Sequence, residues 1–237
     1  MDAFDQSLLR KPVPVFPLPD AVLLPGAMLP LHVFEPRYQK MVGDLLATPP
    51  NRRSVAIALL SGNYEEFYHT NHAPIRPTVG VGQIIQHLEL PDGCYNILLV
   101  GRARARITSE DDSAAYRRAM LEYVPTEPAD MLAGVHAAID DVRVLMRDIA
   151  DLGVCDGDLI EKVLKATPSA AAMIDVGTFH LLGPQDAVVK QRILEERRIE
   201  VRAEILAMQL RNMLNDWRIA QTCPDGDPSW PPPPNPN

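Results

Sequence analysis

"VGVGQIIQHLELPDGCYNILLVGRARARI", residues 79–107, decides how this chain folds. Two runs rich in β-formers flank "PDG" (91–93), where Pro91 presets φ and Gly93 is free to take a positive φ. The pattern predicts a long hairpin over 78–108. Its returning arm ends in "GRARARI" (101–107), with arginine at every second position. Strands alternate their side chains, so Arg102, Arg104 and Arg106 are expected on one side of a sheet. Three arginines in a row on one face suit a phosphate backbone, a partner's carboxylates, or internal ion pairs.

Outward from the hairpin, the first half reads as β. "VPVFPL" (13–18), "MLPLHVF" (28–34), "SVAIALL" (54–60) and "YRRAMLEYV" (116–124) are further strands. Pro36 opens one helix, which sets Tyr38, Met41, Val42, Leu45 and Leu46 on one face. Many short strands with few helices predict a closed or nearly closed barrel. The second half reads as α. Helices are expected over 129–153, 156–166 and 168–183, the last opened by Pro168, then one long helix over 184–217. In that helix Leu194, Val201, Ile205 and Met208 form one apolar stripe, and Ile199, Leu206, Leu210, Met213 and Trp217 another, so two buried sides are expected. The organisation is therefore α+β: a β-barrel over 1–125, a helical bundle over 126–220 and a disordered proline-rich tail over 221–237.

The chain of 237 residues is 46% hydrophobic and 23% charged, as in an ordinary globular protein. It shows no secretory signal and no run of apolar residues long enough to span a bilayer. Its three cysteines are widely spaced and fit neither a disulfide framework nor a cysteine-based zinc site. A cytoplasmic, reduced setting is expected. Residues 1–125 hold 12 basic and 13 acidic side chains, and residues 126–237 hold 11 and 18, so the second half carries −7 of the net −8. That balance disfavours non-specific nucleic-acid binding, which depends on neutralising phosphates. No G-x-S-x-G, H-E-x-x-H or G-x-x-x-x-G-K-[ST] motif occurs, and His69 and His72 of "HTNH" lack further metal ligands nearby. A non-enzyme without metal or cofactor is expected.

"FPLPDAVLLPGAMLPLHVFEPRYQKMV" (16–42) resembles the opening of the Lon protease N-terminal, or substrate-binding, domain, with its Phe-Pro-Leu strand, Leu-Pro-Gly loop and Phe-Glu-Pro-Arg-Tyr helix start. Residues 79–107 resemble the hairpin of that domain, and "MIDVGTFHLL…KQRILEERRIEVRAEIL" (173–206) its helical half. The resemblance implies a PUA-like pseudo-barrel followed by a helical bundle. It implies recognition of polypeptide, chiefly unfolded or partly unfolded segments, and neither ATP hydrolysis nor proteolysis. An RNA-binding PUA-like protein is the alternative.

Arg104 and Arg106 match the family's two arginines, and internal ion pairs are expected for them, with Glu35 as partner. Small neighbours at 103 and 105, no interleaved aromatics, and the following "EDD" (110–112) argue against a nucleic-acid strand. Tyr64, Phe67 and Tyr68 concentrate aromatics in the 59–77 loop. They either cover a barrel end or bind peptide. The protein is expected to be a monomer or weak dimer without membrane attachment.

Overall fold

A computed structural model describes residues 4–111, 113–127, 133–167 and 169–222. The start of the helix expected at 129, the opening Pro168 and residues 223–237 of the proline-rich tail lie outside the described residues, while Gln221 and Thr222, assigned to that tail, end the last helix.

The hairpin organises the fold. β1 (Val13–Leu18), β2 (Met28–Val33), helix α1 (Pro36–Leu46), β3 (Ser54–Leu59), β4 (Thr78–Glu89), β5 (Tyr95–Asp111) and β6 (Arg118–Val124) follow in order. Gly93 turns the β4–β5 hairpin with φ of 80°. The sheet order is β2-β5-β4-β3-β1-β6, and β6 pairs again with β5, so five strands close into a ring. Closure is possible because β5 has 17 residues. Its first half pairs with β2 and its second half with β6, while β4 runs along both. β2 hangs outside the ring as an edge strand.

Three bulges shape this ring, and one reverses the alternation of β5. Val81 pairs with Ala103 but Gly82 pairs with Gly101, leaving Arg102 as an extra residue. Before the bulge, Ile97 and Leu99 face the larger apolar cluster, which includes Leu23, Leu24 and the α1 residues Tyr38, Met41 and Val42. After it, Ala103 and Ala105 line a second, smaller cluster inside the barrel with Val15, Ala56, Val79 and Val81. The three arginines therefore do not share a side, contrary to simple alternation. Arg102 donates through Nε to Gln83 Oε1 at 3.0 Å, while Arg104 enters the joint with the helices and Arg106 is exposed.

The helical half comprises α2 (Ala133–Asp151), α3 (Gly157–Ala166), α4 (Ala170–Leu181), α5 (Ala187–Glu195) and α6 (Ile199–Thr222). α2 packs chiefly on α6. The larger apolar cluster runs without interruption from the α1 side of the barrel through these helices.

The single helix expected over 184–217 is two helices. Glu196 leaves α5 in an extended conformation, ψ 129°. The backbone there meets the chain leaving the barrel: Glu127 N–H donates to Arg197 O at 3.0 Å, and Glu127 forms a bridge with Arg198. The Glu196 carboxylate also accepts from Arg198 N, Nε and Nη2. Tertiary pairing overrides helix propensity here. The buried stripe of α6 is Ile199, Ala203, Leu206, Leu210 and Leu214, while Val201 and Ile205 are half-buried and Met208 is exposed. Leu194, expected on one stripe with Val201, Ile205 and Met208, belongs to α5 and is fully buried.

Candidate functional site

Arg104 makes an internal ion pair, but with Asp175 of α4 instead of Glu35. Asp175 Oδ1 also accepts from Arg202 of α6 at 3.0 Å. Arg104, Asp175 and Arg202 are 3%, 2% and 0% exposed, so one carboxylate sits between two buried guanidiniums. Glu35 is occupied elsewhere. It stands at the N-cap of α1 and takes Arg37 Nη2 at 3.0 Å and Nε at 3.1 Å. A partner two residues away wins over one on a distant strand. Arg106 is exposed beside Glu122, Glu195 and Arg197, and its side chain forms no ion pair or hydrogen bond with the described residues.

Arg37 has a second task that sequence reasoning missed. Its Nη2 donates to Tyr68 O at 2.8 Å and its Nη1 to Thr70 O at 2.7 Å, while its guanidinium lies 4.6 Å from the centre of the Tyr38 ring. The "FEPRY" stretch thus tethers the 59–77 loop to the start of α1. The signal was present: an arginine beside a helix N-cap has no macrodipole reason to be there. Arg37→Ala should cost about 1–3 kcal/mol, the worth of its charge-assisted bonds. Faster amide exchange confined to 61–72 checks this; unchanged protection there would mean that the loop holds itself.

The tether presents the expected aromatics. Tyr64 and Tyr68 flank a single 3-10 turn, Glu65–Phe67, with ring centres 6.3 Å apart. Both are half-buried, Phe67 is exposed, and none of the three belongs to either apolar cluster. Burial, and secondarily the Glu35 charge, pushes the Tyr68 phenol above its ordinary pKa. His69 and His72 are exposed, and no group of three His, Cys, Asp or Glu side chains among the described residues is placed to hold a metal. Burial raises the thiol pKa of Cys155, and of Cys94 with help from Asp92, so neither is primed as a nucleophile.

A second apolar surface was not foreseen. On β2, Leu29, Leu31 and Val33 face the core, which turns Met28, Pro30 and His32 outward. Register places Met28 beside Val100, Pro30 beside Leu98 and His32 beside Asn96. His32 Nδ1 lies 2.8 Å from Asn96 Oδ1, confirming the shared face. On β4, Gln86 and Leu88 lie across from Leu98 and Asn96, and Ile85 is the extra residue of a bulge. Met28, Ile85 and Leu88 are 50%, 44% and 58% exposed, and Phe34, just past β2, is 62% exposed. Three of these large exposed apolar side chains, Met28, Ile85 and Leu88, sit on neighbouring parts of one sheet. Phe34 stacks near His32, with centres 6.1 Å apart, and directly precedes the Glu35–Arg37 pair that holds the aromatic loop.

Comparison with known proteins agrees with this architecture. The sequence profile of the "ATP-dependent protease La (LON) substrate-binding domain" matches residues 12–212. Lon protease 2 of Syntrophobacter fumaroxidans is 25% identical over 211 residues, covering 89% of this chain and 26% of that protein. Lon protease of Escherichia coli K12 is 30% identical over 124 residues, covering 51% of this chain and 15% of that protein. The chain thus spans about a quarter or less of the curated relatives it matches. Among solved structures, the N-terminal domain of Mycobacterium avium complex Lon protease superposes with TM-score 0.64 at 17% identity, over 85% of this chain and 99% of that one. A Lon N-terminal domain protein from Xanthomonas campestris gives TM-score 0.55 at 22% identity, over 83% and 96%. With its ring of strands, its helical half and this match over most of its length, the chain belongs to the Lon substrate-binding domain family.

Proposed function

We propose that this chain is a non-catalytic recognition module for polypeptide, and that it takes extended, apolar segments of unfolded or partly unfolded proteins. The observation that carries the reading is the exposed apolar face of β2, β5 and β4, which ends at the outer edge of β2, where no further strand pairs among the described residues. An edge offers main-chain hydrogen bonds to an added strand, and the apolar face offers side-chain contacts. The tethered loop adds Tyr64, Phe67 and Tyr68, rings with few rotors to freeze. Glu65 and Glu66 between them favour segments with basic flanks. The family's description as a substrate-binding domain supports the same reading.

The RNA-binding alternative, which rests on the PUA-like architecture, gains no support from the arginine strand. Arg102 is bound to Gln83 and Arg104 to Asp175, so Arg106 is the one exposed arginine of the three. The net charge of −8 opposes phosphate binding.

Binding to a carboxymethylated, permanently unfolded protein tests the proposal. Affinity on the order of micromolar is expected for a single weak module without avidity. Met28→Ser/Leu88→Ser should lower it about tenfold or more, the size of a lost interface anchor. Tyr64→Ser/Phe67→Ser/Tyr68→Ser should lower it as well. Both variants should keep the circular-dichroism spectrum. Unaltered binding by both variants would overturn the reading.

A further inference from the structure

The joint between barrel and helices contains more buried cation than it can use. A guanidinium has five N–H donors. Arg104 gives Nη2 to Asp175 and a long 3.5 Å bond from Nη1 to Thr126 Oγ1. Arg202 gives Nη1 to both Asp175 oxygens, at 3.0 and 3.2 Å. Nε of Arg104, and Nε and Nη2 of Arg202, are buried without a partner among the described residues. The cluster carries two positive charges against one negative. Leaving such a charge buried and unshared is costly. Burial and the neighbouring Arg104 lower the Arg202 pKa, which Asp175 and Glu196 only partly oppose.

A cavity of about 160 Å³ adjoins this cluster, and Arg104 and Asp175 both line it. Arg102, Tyr123, Thr126, Ala171 and Ala172 are among the other residues of its wall. Ala171 and Ala172 belong to the first turn of α4, a helix of 12 residues whose positive end faces this region. The surroundings are therefore cationic on the barrel side and positive-dipolar on the helix side.

We propose that this cavity binds a phosphate-sized oxyanion, which accepts from Arg104 Nη1 beside Thr126 and offsets the excess positive charge of the Arg104–Asp175–Arg202 cluster. The size of the cavity limits the ligand. Its volume suits one tetrahedral oxyanion with a few waters. Nucleotide-sized ligands need pockets of about 300 Å³ or more. Asp175 also lines the cavity, but its oxygens are committed to the two guanidiniums. The proposal is independent of the polypeptide-binding face.

The test is thermal unfolding of the whole chain in sodium phosphate against sodium chloride at matched ionic strength. Phosphate at ten times its dissociation constant should raise the melting temperature by about 3 °C. Thr126→Asp places a carboxylate where the hydroxyl already meets Arg104. It should melt higher than the parent in chloride and lose the phosphate shift. Arg106→Gln, an exposed arginine in the neighbouring cleft with Arg76 and Arg197, should keep it. Equal melting in the two salts would overturn the proposal and leave the donors to water. A phosphate shift retained by Thr126→Asp, or lost in Arg106→Gln, would overturn it too by moving the ion elsewhere.

Discussion

Asp175→Ala is expected to be among the most damaging substitutions in this protein, costing about 3–5 kcal/mol. It removes the carboxylate shared by Arg104 and Arg202, which are 3% and 0% exposed. Both guanidiniums are buried, and among the described residues their remaining partner is Thr126 Oγ1 at 3.5 Å. Domains of this kind are stable by only about 5–15 kcal/mol, so the variant should sit near its unfolding threshold. The ion pair itself need not be a net stabiliser, because desolvating three charges offsets their attraction. Arg104→Met/Asp175→Leu/Arg202→Met should therefore recover most of the loss. Urea midpoints for the single and triple variants separate the two effects. A single variant as stable as the parent would show that the arginines find water. A triple variant as unstable as the single would show that the pair is itself the source of stability.

The long hairpin over 78–108 was legible because alternation, the "PDG" turn and the family's arginine pattern all agree, and β4 and β5 occupy 78–111. The sides of the three arginines were not legible. One extra residue at Arg102 reverses every side chain after it, and nothing in "GRARARI" marks a bulge. The partner of Arg104 was equally hidden: Asp175 lies 71 residues away on a helix whose apolar residues surround it on all sides. Glu35 was the natural expectation because it is the acid in the family motif, yet its neighbour Arg37 claims it. The break at Glu196–Arg198 carries neither proline nor glycine. It exists because Glu127 pairs with the backbone there. The outward apolar face was obscured for a different reason. β2 and the first half of β5 carry apolar residues at nearly every position, which reads as burial on both faces although one is open. The aromatic loop was visible as a composition anomaly, but its tether through Arg37 requires two carbonyl groups that only the fold brings near.

Gly80→Ala and Gly101→Ala are each expected to cost about 3 kcal/mol or more, at the severe end of overpacking. The "LLPG" loop (23–26) explains why. Leu23 and Leu24 are fully buried, and their backbone lies directly on the two strands of the hairpin. A Cβ at Gly80 would stand 1.8 Å from Leu23 O, and one at Gly101 would stand 2.1 Å from Leu24 O. Those atoms are main chain, so no rotamer change relieves the clash. The loop cannot simply lift, because Gly26 N–H donates to Gly101 O at 2.9 Å and Gly101 N–H to Ala27 O at 2.8 Å. The same contact fixes the entry into β2, whose outer face is proposed to meet polypeptide. Two other glycines supply contrast. At Gly43, within α1, the nearest atom to an added Cβ is the Tyr95 hydroxyl at 3.9 Å, so Gly43→Ala should stabilise by about 0.5–1 kcal/mol through helix propensity. At Gly93 there is open space but φ is 80°, so Gly93→Ala should cost only about 1–2 kcal/mol of backbone strain. Gly80→Ala and Gly101→Ala displace one segment, so their double variant should lose less than the sum of the two. Urea denaturation of the four single variants and this double variant checks the order. Losses at 80 and 101 no larger than at 93 would mean that the Leu-Pro-Gly loop is free to move, and that β2 is not held by it.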